Sequence, residues 1–145
     1  MTNLSKIYRS PLFYVGDKYK LYPKIRKYFP KTINRFIEPF TGGGSVFLNV
    51  NANEYLLNDI DTNVINIHQF LMEQSENPKA FFDSVFDIIQ QYNLSHSYIK
   101  DIVPQELKDE WIKTYYAKFN KDGFDKLKAD YNSSNEKNIL HLYLL

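Results

Sequence analysis

The 145 residues contain no cysteine, which excludes a disulfide framework, a thiolate nucleophile and any metal site built on sulfur. Only three histidines occur, His68, His96 and His141, and their scatter gives no metal-ligand spacing, so no metal is expected. The six prolines, Pro11, Pro23, Pro30, Pro39, Pro78 and Pro104, include no adjacent pair. No apolar run reaches the roughly 18 residues of a membrane span. The amino-terminal residues also lack the apolar stretch of a signal peptide. A soluble, intracellular (cytoplasmic) chain with no membrane partner is the expectation. Neither charge sign dominates: the formal net charge is +1, so any nucleic-acid partner must be met by local clusters.

Glycine is scarce as well, but unevenly so. Three of the five glycines are consecutive, at positions 42–44, and the chain is organised around them. Residues 34–61 read NRFIEPFTGGGSVFLNVNANEYLLNDID, the pattern of strand, glycine turn, helix and strand. A strand is predicted over 35–39 around Phe36 and Ile37, and a second over 55–58. Between them Ser45 can cap a helix whose Val46, Phe47, Leu48 and Val50 pack on a sheet. The whole has the length of a parallel βαβ half-unit, in which ligands bind outside the carboxyl ends of the strands. Glycines let the backbone turn sharply and a ligand come close. Asp59, 17 residues after Gly42, can accept both hydroxyls of a ribose. The competing reading makes the glycines a tight connection and Asp59 a helix cap. No Lys-Ser/Thr pair closes the glycine run, against a P-loop, and the dinucleotide fingerprint G-x-G-x-x-G is absent.

What is abundant is aromatic side chain, 17% of the residues, within a hydrophobic content of 43% that suffices for a core of one domain or part of one. Residues 1–10 read as an extended arm. Phe13-Tyr14-Val15-Gly16-Asp17-Lys18 is either a loop bringing a ring and a cation together or an apolar lead-in to a helix. A short helix is predicted over 19–29, with Leu21, Ile25 and either Tyr28 or Phe29 at helical spacing, Pro23 in its first turn and Pro30 ending it. Lys18, Lys20, Lys24, Arg26, Lys27 and Lys31 make this the most basic part of the chain, a solvated face or a phosphate-backbone contact. Helices follow over 62–74, with Val64, Ile67, His68 and Leu71 as one stripe, and from 78, capped by Asn77 with Pro78 in its first turn. Residues 93–104 connect to a helix over 105–121, broken by Asp122-Gly123. Another is predicted over 124–131, and the last starts at Glu136 and runs into an apolar end.

With those residues in hand the chain resembles the amino-terminal half of DNA adenine-N6 methyltransferases of the GATC-methylating type. Three ordered blocks carry the likeness. Phe13 to Lys18 is similar to the family's amino-terminal motif. Phe36-Ile37-Glu38-Pro39-Phe40-Thr41-Gly42-Gly43-Gly44-Ser45 is similar to its loop for S-adenosyl-L-methionine (SAM), and Leu57-Asn58-Asp59-Ile60-Asp61 to its acidic strand end. Residues 124–145, with Asp130-Tyr131-Asn132, are similar to the helical segment before the family's DNA-reading hairpin. The resemblance implies an α/β fold: a Rossmann-like SAM-dependent core, its cofactor-binding half over 1–75, then a helical DNA-binding segment over 76–145. It implies SAM as cofactor and double-stranded DNA as partner. Tyr14 and Lys18 would line the cofactor pocket, Glu38 and Phe40 flank the methionine moiety, Gly42 and Gly43 pass beneath it, and Asp59 bind the ribose. The target adenine would be flipped out of the duplex.

The family's catalytic Asp-Pro-Pro-Tyr is absent, as the lack of adjacent prolines requires, so no catalytic residue is assigned. The expectation is an enzyme represented by its cofactor-binding half and inactive alone, with a non-catalytic SAM-binding or DNA-binding remnant as the alternative. An unrelated nucleotide-binding α/β protein is the third reading. On the first reading the apolar run over 139–145 would lack the elements it packs on and be an exposed liability.

Overall fold

The computed structural model describes residues 6–96 and 102–145. Strands β1 (Ile33–Glu38) and β2 (Ala52–Leu57) pair in parallel, Ile33 opposite Ala52 and Glu38 opposite Leu57. Both begin earlier than the apolar runs predict. Polar pairs extend the ladder: Arg35 Nε donates to Glu54 Oε2 at 2.7 Å and Asn53 Nδ2 to Asn34 Oδ1 at 3.0 Å. Cross-strand pairs of this kind support a sheet face open to solvent.

The helix predicted after the glycines is not formed. One 3₁₀ turn, Phe47–Asn49, takes its place, and Ser45 Oγ caps nothing. Asn49 explains the change. Its backbone N–H donates to Val46 O at 2.9 Å, three residues back, while its side-chain Nδ2 donates to Ser45 O at 2.9 Å. The carbonyl that would propagate an α-helix is thereby taken, and Val50 leaves in extended conformation to feed β2.

The helix predicted over 19–29 is shorter, α1 (Tyr22–Ile25) followed by a 3₁₀ turn, Arg26–Tyr28. Pro23 does sit in its first turn. Phe29 is already extended, the conformation the following Pro30 imposes. Tyr22, Val46 and Val50 form the buried centre, with Ile7, Ile25, Phe29, Ile33 and Phe36 packed on it. Edge-to-face rings run from Tyr22 through Phe29 and Phe36 to Tyr55 at centroid spacings of 6.5, 6.0 and 6.3 Å.

Helix α2 (Thr62–Gln74) has its predicted bounds and buries Val64 and Ile67. The chain divides into two compact units at the Gln69–Phe70 bond, inside this helix. In the second unit α3 (Pro78–Gln91) is capped as predicted, Asn77 accepting from the Ala80 N–H at 3.2 Å. The connector over 93–104 includes residues 97–101, which lie outside the described residues. The following segments differ from prediction. Helix α4 (Gln105–Trp111) ends at Ile112, and α5 (Tyr115–Ser133) runs unbroken through Gly123. Gly123 is a packing residue: a Cβ there would stand 2.2 Å from the Tyr92 carbonyl oxygen. Helix α6 (Ile139–Leu144) starts later than predicted, because Asn138 accepts from the Leu140 and His141 N–H groups and caps it. Its Leu140 and Leu144, with Leu145, are part-buried against Ile88, Tyr92 and the fully buried Leu127. The terminal run therefore packs against the core of this unit rather than standing as an exposed apolar end. The fold is mixed helix and strand, a two-stranded parallel sheet and helices.

Candidate functional site

The carboxyl ends of both strands deliver the site. Past Glu38 the ladder continues through Asn58 N–H to Glu38 O at 2.9 Å and Thr41 N–H to Asn58 O at 2.9 Å, so residues 38–41 and 58–59 run side by side. The chain then turns through Gly42 and Gly44, whose φ angles of +48° and +80° favour glycine. A side chain would have no room: a Cβ on Gly42 would stand 3.0 Å from the Tyr14 ring, and one on Gly44 2.4 Å from the Phe47 ring. Tyr14 therefore packs directly on the loop.

A cavity of about 270 Å³ opens over this loop, within the first unit. Tyr14, Lys18, Glu38, Phe40, Gly42, Gly43 and Asp59, named from three separate stretches of sequence, all line it. Asp59 Oδ2 accepts from the Gly42 N–H at 2.8 Å and Oδ1 from the Asp61 N–H at 3.1 Å. These bonds hold its carboxyl below the usual carboxylate range, so it stays ionised. The carboxylate's remaining lone pairs can accept from a ligand hydroxyl. Asp59 thus ties the glycine loop as well as facing the cavity. Glu38 is half-buried. Burial pushes its carboxyl up to about 7, opposed by the Phe47 N–H at 3.2 Å and by the nearby Lys18 charge. Lys18 Nζ itself donates to Gly16 O at 2.6 Å, and Phe40 is 85% exposed.

Three contributors escaped the sequence reading. Thr41 is buried, its Oγ1 donating to Glu38 O at 3.1 Å. His68 supports the loop from α2, with Nε2 2.8 Å from Gly42 O. A carbonyl only accepts, so Nε2 carries the proton. The His68 ring also meets Phe47 edge-on at 5.2 Å. Ser45 lines the cavity and its buried Oγ has no hydrogen-bond partner among the described residues. No residue type or spacing marks these three, since each works through a backbone carbonyl or through burial.

A glycine loop between parallel strands, an ionised acid at the second strand end and an aromatic ring packed on the loop meet where parallel α/β sheets bind small molecules, outside the carboxyl ends of the strands. Residues 14–144 match the family model of the D12 class N6 adenine-specific DNA methyltransferases, and the chain belongs to that family. Among curated relatives, the modification methylase StsI of Streptococcus sanguinis is 32% identical over all of this chain, and a DNA adenine methylase of Haemophilus influenzae 31% identical over 91% of it. The DNA N-6-adenine-methyltransferase of Escherichia phage P1 is 30% identical over 90%. The chain spans 18%, 46% and 17% of the lengths of these three relatives.

Proposed function

We propose that this chain is the cofactor-binding part of a SAM-dependent DNA adenine-N6 methyltransferase acting on duplex DNA. The observation that carries the reading is the convergence of Tyr14, Lys18, Glu38, Phe40, Gly42, Gly43 and Asp59 on one cavity. The donor set suits the molecule. Asp59 offers acceptors to a ribose diol, Lys18 a cation to a carboxylate, Glu38 a carboxyl oxygen to accept from an ammonium, and the Tyr14 ring a π-face to a sulfonium. The glycine loop presents bare backbone to it. On this reading β1 and β2 belong to a Rossmann-like core, residues 1–75 form the cofactor half and 76–145 a helical segment that leads to target recognition.

When bound, SAM supplies an electrophilic methyl group. The chain's own residues bind and orient: Asp59 fixes the ribose end, Lys18 and Glu38 the amino-acid end, and Tyr14 the middle. A base inside a duplex is out of reach, so the target adenine has to leave the stack. These 145 residues hold no Asp-Pro-Pro-Tyr to clamp the adenine amine, and the reading assigns them binding rather than the chemical step.

Calorimetric titration of SAM tests this. Tyr14→Ala and Asp59→Asn are each expected to weaken binding roughly 5- to 100-fold, the range for losing a charge-assisted hydrogen bond or a desolvated ring contact. The conservative Asp59→Asn is chosen because Asp59 also holds the loop. Unchanged affinity in both variants would sink the assignment. Tritiated-methyl transfer to duplex DNA by the 145-residue chain alone would overturn the division between binding and chemistry.

A further inference from the structure

Charge in this chain is segregated by sequence. Residues 6–35 hold nine of its 18 Lys and Arg but only one of its 17 acids, Asp17. Within that stretch Arg35 is ion-paired with Glu54 at 2.7 Å. Among the described residues no carboxylate lies within ion-pair distance of Lys20, Lys24, Arg26, Lys27 or Lys31. The four lysines are exposed and Arg26 is part-buried.

The strap before α1 adds to this face. Asn49 clamps it: its Oδ1 accepts from the Tyr8 N–H at 2.7 Å and its Nδ2 donates to Tyr8 O at 2.8 Å. Lys6 and Arg26, 20 residues apart, thereby line one hollow of about 200 Å³ with Tyr8, Tyr22, Asn49 and Asn51. Three cations sit over aromatic rings, Lys6 on Tyr8 at 5.8 Å, Arg9 on Tyr19 at 5.9 Å and Lys27 on Tyr28 at 5.0 Å. Such stacking holds a cation in place without neutralising it.

We infer that the strap and the α1 turn together form a surface that tracks the phosphate backbone of duplex DNA, with the Lys6–Arg26 hollow as one phosphate seat. The inference rests on the DNA-methyltransferase reading for the partner. Arg geometry suits a phosphate oxygen pair, and unpaired exposed lysines give up condensed counterions on contact. A membrane fits less well. The apolar side of this helix, Tyr22, Ile25 and Phe29, is already used in the core with Val46 and Val50, which leaves Leu21 and Tyr28 as isolated exposed side chains among lysines rather than an apolar face to insert.

The test is fluorescence anisotropy with a labelled 20-bp duplex across a sodium chloride series. The full chain is compared with Lys20→Gln/Lys24→Gln, with Lys6→Gln/Arg26→Gln, and with the control Arg35→Gln, whose charge is already paired with Glu54. Each lost phosphate contact should flatten the log-affinity against log-salt slope by about 0.9, so about 1.8 for either double variant and no change for the control. SAM titration of the Lys20/Lys24 variant should match the parent, which shows that the fold and cofactor site are intact. An equal change in the control, an unchanged slope in both double variants, or no duplex binding by the parent would overturn the inference. So would equal affinity for phosphatidylserine vesicles at the same salt. No SAM binding by the parent, with the expected slope changes still seen, would instead fault the cofactor reading.

Discussion

Glu38 ends β1 inside the candidate site, and ionising its half-buried carboxyl carries a stability cost that pH should expose. Its folded value of about 7 lies above the ordinary 4.5, so the folded chain holds a proton that the unfolded chain has lost. The stabilisation is complete below the ordinary value and disappears as pH rises through about 7. Allowing for solvent screening at a half-open site, the effect is about 1–2 kcal/mol. Glu38→Gln keeps an acceptor for the Phe47 N–H and removes the charge. The parent's melting temperature should fall between pH 5 and 8 relative to that of Glu38→Gln, and parallel curves would show that Glu38 ionises freely. Residue types reveal such a carboxylate as a candidate ligand group, because an acid beside glycines is conspicuous. They do not reveal its burial, nor His68, whose contact is with a carbonyl 26 residues away.

Helices were most legible where a cap and a periodic stripe coincide, as at Asn77-Pro78 and over α2. Pattern fails where a single residue does an unusual job. Asp122-Gly123 reads as a helix breaker, yet α5 passes through it because Gly123 admits the Tyr92 backbone. The consequence is a substitution with reversed sign. In an open helix Gly→Ala gains about 1 kcal/mol. Here the added methyl meets the Tyr92 carbonyl at 2.2 Å and Leu94 Cδ2 at 2.9 Å, and overpacking of this kind costs about 1–3 kcal/mol. Thermal unfolding of Gly123→Ala should show a net loss of stability, and a higher melting temperature would make the glycine incidental. The 3₁₀ turn at 47–49 was equally hidden, since the side chain of Asn49, not any helix propensity, decides it.

For the chain as a whole, the glycine loop and the two strands around it were legible from one 28-residue stretch, because parallel strands, a tight turn and an acid leave a compact signature. The polar beginnings of both strands were not legible, since cross-strand pairing is invisible until the register is known. Charge segregation was partly visible as the basic run, and it has a consequence at the bench. A chain whose net charge is +1 should hardly move in native electrophoresis at pH 7. Adsorption to a sulfonated resin depends on the local patch the resin can reach rather than on the sum. At low salt the chain should therefore be retained on a cation exchanger while migrating almost as a neutral molecule, and Lys20→Gln/Lys24→Gln should elute markedly earlier than Lys113→Gln/Lys128→Gln of identical net charge. Co-elution of the two variants would mean that the resin reads total charge and that the basic stretch presents no continuous face.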